Sequence, residues 1–265
     1  MSLANNTTES SLPSSISSPK VEVLLENECC LWIHNALSTE EQILVFQDIL
    51  ERSKEVDNTQ KTPCMNPSPK TLLFNGSTPT LRFDKHQSDD NINNGVDNSV
   101  TTSLSSVFNH LILRRAFSLA LSKIKHESNK NLASANTASR IEYGYQYDRY
   151  SVAVIRYDAP NGSFPEHIDH CNNSNAHVVL LSLGCTARFT VRGPSNTTKR
   201  TLKLKSGDIL VFDPSTQAAI KHGVTAIDVS TCPVELVSTF GEDIMGNKRY
   251  GVQCRTSHSI HHDKR

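Results

Sequence analysis

The sequence predicts a mainly β protein of the α+β class: a sandwich or jelly roll with helices packed on one side. Three observations carry that expectation. Short apolar runs separated by turn residues follow one another from residue 141 onward, without helical periodicity between them. Ahead of them, two longer segments repeat apolar residues at helical spacing. No apolar run is long enough to cross a membrane as a helix.

Composition narrows the functional classes. Lys plus Arg and Asp plus Glu both number 27, so the chain as a whole exerts no net attraction on nucleic acid or an anionic membrane. Any such attraction must come from a local patch. The 7 cysteines are odd in number and show no C-x-x-C spacing, which argues against a disulfide framework and a structural zinc site. A reducing compartment follows, and without a secretory signal the expectation is a soluble cytoplasmic or nuclear monomer.

Residues 1–20 are rich in Ser, Thr, Asn and Pro, cannot repay their ordering entropy by burial, and read as a disordered tail. Arginine is absent there, which argues against a mitochondrial transit peptide. Cys29 to His34 reads as a short strand leading into a helix over 38–54. Ser38-Thr39-Glu40-Glu41 fits a capping box, and Ile43, Phe46, Ile49 and Leu50 mark the buried face.

Val56 to Pro69 reads as a loop, with Lys70 to Phe74 and Thr80 to Phe83 as a hairpin beyond it. The Asn/Asp/Gly/Ser tract from 88 to 102 is a surface loop of the kind that serves as a lid or stays disordered. Leu104 to Lys125 forms the second helix, with Val107, Leu111, Phe117, Leu121 and Ile124 inward and Arg114, Arg115, Lys123 and Lys125 on solvated faces. After a loop at 128–139, strands are expected at 141–147, 151–157, 164–169, 178–183, 186–192, 200–205, 208–212, 219–227 and 249–256. The polar tail from 258 to 265 is expected to be mobile, so its histidines 258, 261 and 262 are not counted as site candidates.

The chemistry centres on His167-Ile168-Asp169. Residues i and i+2 of a strand project from one face, so this imidazole and carboxylate can point together. A third ligand, His222, lies downstream in the strand IKHGV. Two histidines and one carboxylate form the facial triad that binds Fe(II) and leaves coordination positions open. His170 falls on the opposite strand face. Arg249 and Arg255, at even spacing, share a strand face and together demand an anion, which a dicarboxylate bridging metal and arginine would satisfy.

These motifs, in this order, resemble the AlkB family of Fe(II)- and 2-oxoglutarate-dependent dioxygenases over residues 151–255. The family's asparagine-x-tyrosine is matched by Ile155-Arg156-Tyr157, its H-x-D by His167 to Asp169, and its serine-leucine-glycine strand by Ser182-Leu183-Gly184. Its glycine-aspartate-valine start resembles Gly207-Asp208-Ile209, its distal histidine His222, and its R-x-N-x-x-x-R the segment Arg249 to Arg255.

The resemblance implies a double-stranded β-helix (jelly roll): a dioxygenase domain over 21–257, with a recognition part at 21–140 and the catalytic core at 141–257. It implies that His167, Asp169 and His222 hold Fe(II), that Tyr157 and Arg249 bind 2-oxoglutarate, and that Arg255 supports them. The reaction implied consumes dioxygen, decarboxylates 2-oxoglutarate to succinate and hydroxylates a C–H bond; on an N-methyl group this releases formaldehyde. Alkylated bases in DNA or RNA are the implied substrate, and a stacked base must be extruded to reach the metal.

Tyr143, Tyr145 and Tyr147, alternating on an expected strand, and Tyr150 could stack on such a base or pack the core. Two positions depart from the pattern: Ile155 and Gly251 stand where the family has asparagine. Each loses an amide hydrogen bond worth about 0.5–1.5 kcal/mol net. The same iron chemistry on a protein or small molecule is an alternative reading, and a non-catalytic binding module on this fold is another.

Overall fold

A computed structural model describes residues 18–25, 30–59, 80–85, 107–128, 139–142, 145–147, 149–169, 176–194 and 199–257. Most of the expected N-terminal tail, the strand at 70–74, the loop at 88–102, His170 and the C-terminal tail lie outside these residues.

The strands are β1 (Lys20–Leu25), β2 (Cys30–His34), β3 (Thr80–Lys85), β4 (Arg149–Asp158), β5 (Phe164–Ile168) and β6 (Val178–Gly184). They continue as β7 (Ala187–Arg192), β8 (Arg200–Leu204), β9 (Ile209–Phe212), β10 (Lys221–Ile227) and β11 (Lys248–Ser257). Among the described residues these form two antiparallel sheets, one of seven strands in the order β1-β2-β9-β6-β11-β4-β3 and one of four in the order β5-β10-β7-β8. The mainly β jelly roll expected from sequence is the fold observed.

Strand alternation divides the apolar residues between two cores. Val179, Leu181 and Leu183 of β6, with Ile209 and Val211 of β9 and Val252 of β11, face the helices. Their neighbours Val178, Leu210 and Phe212 face the four-stranded sheet, meeting Phe189, Val191, Leu202, Leu204 and Val224. Buried on both faces, β6 therefore reads as a continuous apolar run instead of an alternating one.

The helices α1 (Thr39–Thr59), α2 (Val107–Arg114, with π-helical pairing) and α3 (Arg115–Ser128) cover the outer face of the larger sheet. Phe46 of α1, Phe108, Ile112 and Leu113 of α2 and Phe117 and Ile124 of α3 supply the buried stripe. The capping box forms as expected: the Ser38 amide donates to Glu41 Oε2 at 2.9 Å, and the Glu41 amide to Ser38 Oγ at 3.3 Å. The helix then runs to Thr59, past the expected end at 54 and into the segment expected to be a loop.

None of the described residues of the strand expected at 141–147 is β. Residues 139–142 and 145 are helical where 141–147 was expected to be β. Ile141 is fully buried in the helix-facing core, while Arg140 pairs with Asp213 and Glu142 with Lys125 of α3. The burial of Ile141 and the pairing of Arg140 with the buried Asp213 outweigh the β propensity of the alternating tyrosines; the exposed Glu142–Lys125 pair adds little. Three further elements lacked a clear sequence signal: β1, α4 (Val234–Phe240) and α5 (Glu242–Met245). Pro233 before α4 and Gly241 after it, at φ 89°, are the start and stop residues such a short helix offers.

Candidate metal and co-substrate site

The smaller sheet places the metal-ligating residues. His167 on β5 and His222 on β10 are direct register partners, so their imidazoles project from the same face with ring centres 4.4 Å apart. Asp169 follows the end of β5, its Oδ1 lying 3.4 Å from His167 Nε2. One ligand atom from each of the three lies within 4.8 Å of the others.

Both rings are oriented through Nδ1. His167 Nδ1 lies 3.0 Å from the Pro165 carbonyl and His222 Nδ1 3.4 Å from that of Ile220. A proton held there leaves Nε2 as the free ligand atom, which is how ligating histidines are commonly fixed. His222 is 6% exposed, between Phe189 and Phe212. Burial drives its pKa down to about 4, so it is neutral and ready to ligate near pH 7. Around His167, burial opposes the charged form, but the Asp169 carboxylate and the Pro165 carbonyl outweigh it and raise the pKa. Burial likewise opposes ionisation of Asp169, yet His167, His222 and Arg255 together hold it below the ordinary carboxylate range.

The larger sheet supplies the cations. On β11, residues 249, 251, 253 and 255 share the inward face, and all four line one cavity of about 250 Å³ with the His–Asp–His cluster. Arg249 is 1% exposed, its guanidinium carbon 4.9 Å from the ring centre of Tyr157, its register partner on β4. Its Nε donates to Ser182 Oγ at 3.2 Å, while Nη2 is buried without a hydrogen-bond partner. A buried cation with an unfilled donor is costly unless an anion meets it, and a planar guanidinium suits a carboxylate. Burial also pushes the Tyr157 hydroxyl pKa up, so it stays protonated as a donor. At the metal end, Arg255 Nη2 donates to Asp169 Oδ2 at 2.9 Å.

A model of the family described as the 2OG-Fe(II) oxygenase superfamily matches residues 29–255. The chain belongs to that superfamily.

Among solved structures, OsALKBH1 aligns over 86% of this chain and 98% of its own at 16% identity with a TM-score of 0.53, a likeness of fold. A prolyl-4-hydroxylase from Pseudomonas putida aligns over 88% and 94% at 9% identity, TM-score 0.42. A prolyl hydroxylase from Trichoplax adhaerens, in complex with a hypoxia inducible factor oxygen degradation domain peptide fragment, aligns over 86% and 83% at 13%, TM-score 0.44. No curated protein matches in a sequence search.

The protein is thus an Fe(II)- and 2-oxoglutarate-dependent dioxygenase, and its residues fit both groups. The three-ligand cluster suits Fe(II), and the orphaned Nη2 of Arg249 suits a distal carboxylate. Bound together, iron and 2-oxoglutarate supply oxidation of a C–H bond by dioxygen with release of succinate and carbon dioxide.

All six residues expected from sequence, Tyr157, His167, Asp169, His222, Arg249 and Arg255, line the same cavity. Of the tyrosines expected either to stack on a base or to pack the core, Tyr143 lies outside the described residues, and Tyr145 and Tyr147 pack around Phe117, with Tyr147 donating to Asn109 and Arg114 lying over Tyr145. Tyr150, 7% exposed, joins the same core. Sequence reasoning missed Phe164, edge-on to His167 with ring centres 4.7 Å apart, and Gln253. The inward parity of β11 was the available signal for Gln253.

Proposed function

We propose that the protein demethylates alkylated bases in DNA or RNA by oxidising their N-methyl groups. In this reading His167, Asp169 and His222 ligate Fe(II), Arg249 and Tyr157 hold the distal carboxylate of 2-oxoglutarate, and Arg255 orients Asp169. The observation that carries the reading is the convergence of Tyr157, His167, Asp169, His222, Arg249 and Arg255, the ligand and co-substrate residues of the AlkB-like motifs, on a single cavity. Phe164, half-buried and edge-on to the more exposed of the two histidines, adds an aromatic ring to the cavity wall on the side from which a flat, extruded base would approach.

The test is a paired succinate and formaldehyde assay on purified protein with methylated DNA, RNA and peptide substrates. The expected result is equimolar succinate and formaldehyde with a methylated oligonucleotide. His167→Ala should abolish both products while leaving the fold intact by circular dichroism. Turnover confined to peptides or small molecules would overturn the choice of substrate and leave the iron chemistry standing.

A further inference from the structure

Ile155 and Gly251 depart from the AlkB-like pattern far apart in the sequence, yet they are direct register partners on β4 and β11. On its other side Gly251 pairs with Ser182 of β6. Arg249 therefore reaches two residues along its own strand to donate to Ser182 Oγ, which lays its guanidinium back over residue 251. A Cβ built at Gly251 would stand 3.0 Å from Arg249 Nη1 and 3.5 Å from both Cζ and Nη2. Such a contact is relieved only if the guanidinium moves. It has little freedom to do so, being 1% exposed, bonded to Ser182 and set over the Tyr157 ring.

We propose that Gly251 is a positioning residue for the co-substrate: its missing side chain is the space in which the Arg249 guanidinium lies along the cavity wall. Ile155 closes the adjoining wall with apolar surface, where an amide would compete for the same guanidinium. The two departures are one adaptation, not two separate losses of a hydrogen bond. This inference concerns 2-oxoglutarate alone and stands whichever substrate the enzyme oxidises.

The two accounts differ in sign. If the chain had merely lost an amide, Gly251→Asn would restore a hydrogen bond and tighten 2-oxoglutarate; if residue 251 is a space for Arg249, it must weaken it. The experiment is calorimetric titration of 2-oxoglutarate into the Mn(II)-loaded protein, oxygen excluded, for the parent, Gly251→Ala and Gly251→Asn. Overpacking at this point is expected to weaken binding about tenfold or more. Mn(II) affinity should hold, and KM for 2-oxoglutarate should rise far more than kcat falls.

Binding by Gly251→Asn as tight as the parent's, or tighter, would overturn the proposal. If a variant is too unstable to titrate, thermal unfolding decides. Gly251→Ala should lower Tm in the parent but not in an Arg249→Leu background, where no guanidinium fills the space. An equal drop in both backgrounds also overturns it.

Discussion

Arg255 carries two opposed effects on the metal cluster, and their sizes can be compared. Its positive charge disfavours a cation nearby, while its hydrogen bond at 2.9 Å fixes which way Asp169 Oδ2 points. The side chain is 36% exposed, so water and salt screen the charge more than they weaken the bond. Orientation should win. Arg255→Met is expected to lower Mn(II) or Fe(II) affinity by about tenfold, the lower end for residues that steer metal ligands. Calorimetric metal titration checks this, and an unchanged or increased affinity would show that the charge dominates. At this scale the sequence revealed what depends on parity along one strand: His167 with Asp169, and Arg249 with Arg255. The fold-back of Arg249 over Gly251 was not legible, because it depends on the register of β11 against β6, which no local spacing encodes.

Among the elements, α1 was the most legible because its start signal is local. Ser38 and Glu41 close a capping box within one turn. The sequence did not show that Glu41 also meets Arg115, which joins the start of α1 to α3 and lies on what was expected to be a solvated face. The Arg115 guanidinium holds the Glu41 carboxyl below its ordinary pKa, against the opposing effect of partial burial. A depressed carboxyl stabilises the fold fully above its unfolded value near 4.5, and that stability is lost as pH falls through the lower folded value. Glu41→Gln keeps an acceptor for the Ser38 amide and removes the charge. It should cost about 1 kcal/mol at pH 7, given the partial exposure of the pair, and progressively less below the unfolded value. Urea unfolding of both proteins between pH 7 and 3 measures the gap, and a gap independent of pH would mean that the charge contributes nothing. By contrast, the region 141–147 misread as a strand shows where local pattern fails: the buried carboxylate that anchors it, Asp213, is remote in sequence.

The whole molecule divides the site between its sheets. His167 and His222 belong to the four-stranded sheet and Asp169 follows its edge strand, whereas Arg249 and Tyr157 belong to the seven-stranded one. Between them, the Arg255–Asp169 pair crosses the cavity. The dense run of short strands made the sandwich legible, but not this division, because sheet order emerges from pairings such as β11 with β4 and β6. A 2-oxoglutarate held at one end by the metal and at the other by Arg249 would tie the sheets together and fill the orphaned donor at Nη2. Metal and co-substrate should therefore stabilise the fold cooperatively. A ligand at a hundred times its Kd adds about 2.7 kcal/mol, enough to resolve in a melting curve. With Mn(II) present, 2-oxoglutarate should raise Tm well beyond the sum of the separate shifts; after metal removal by chelator, its own shift should nearly vanish. Arg249→Leu should erase the excess but leave the Mn(II) shift in place, because the metal ligands lie on the other sheet. Strictly additive shifts in the parent would mean that the two sheets bind their ligands independently.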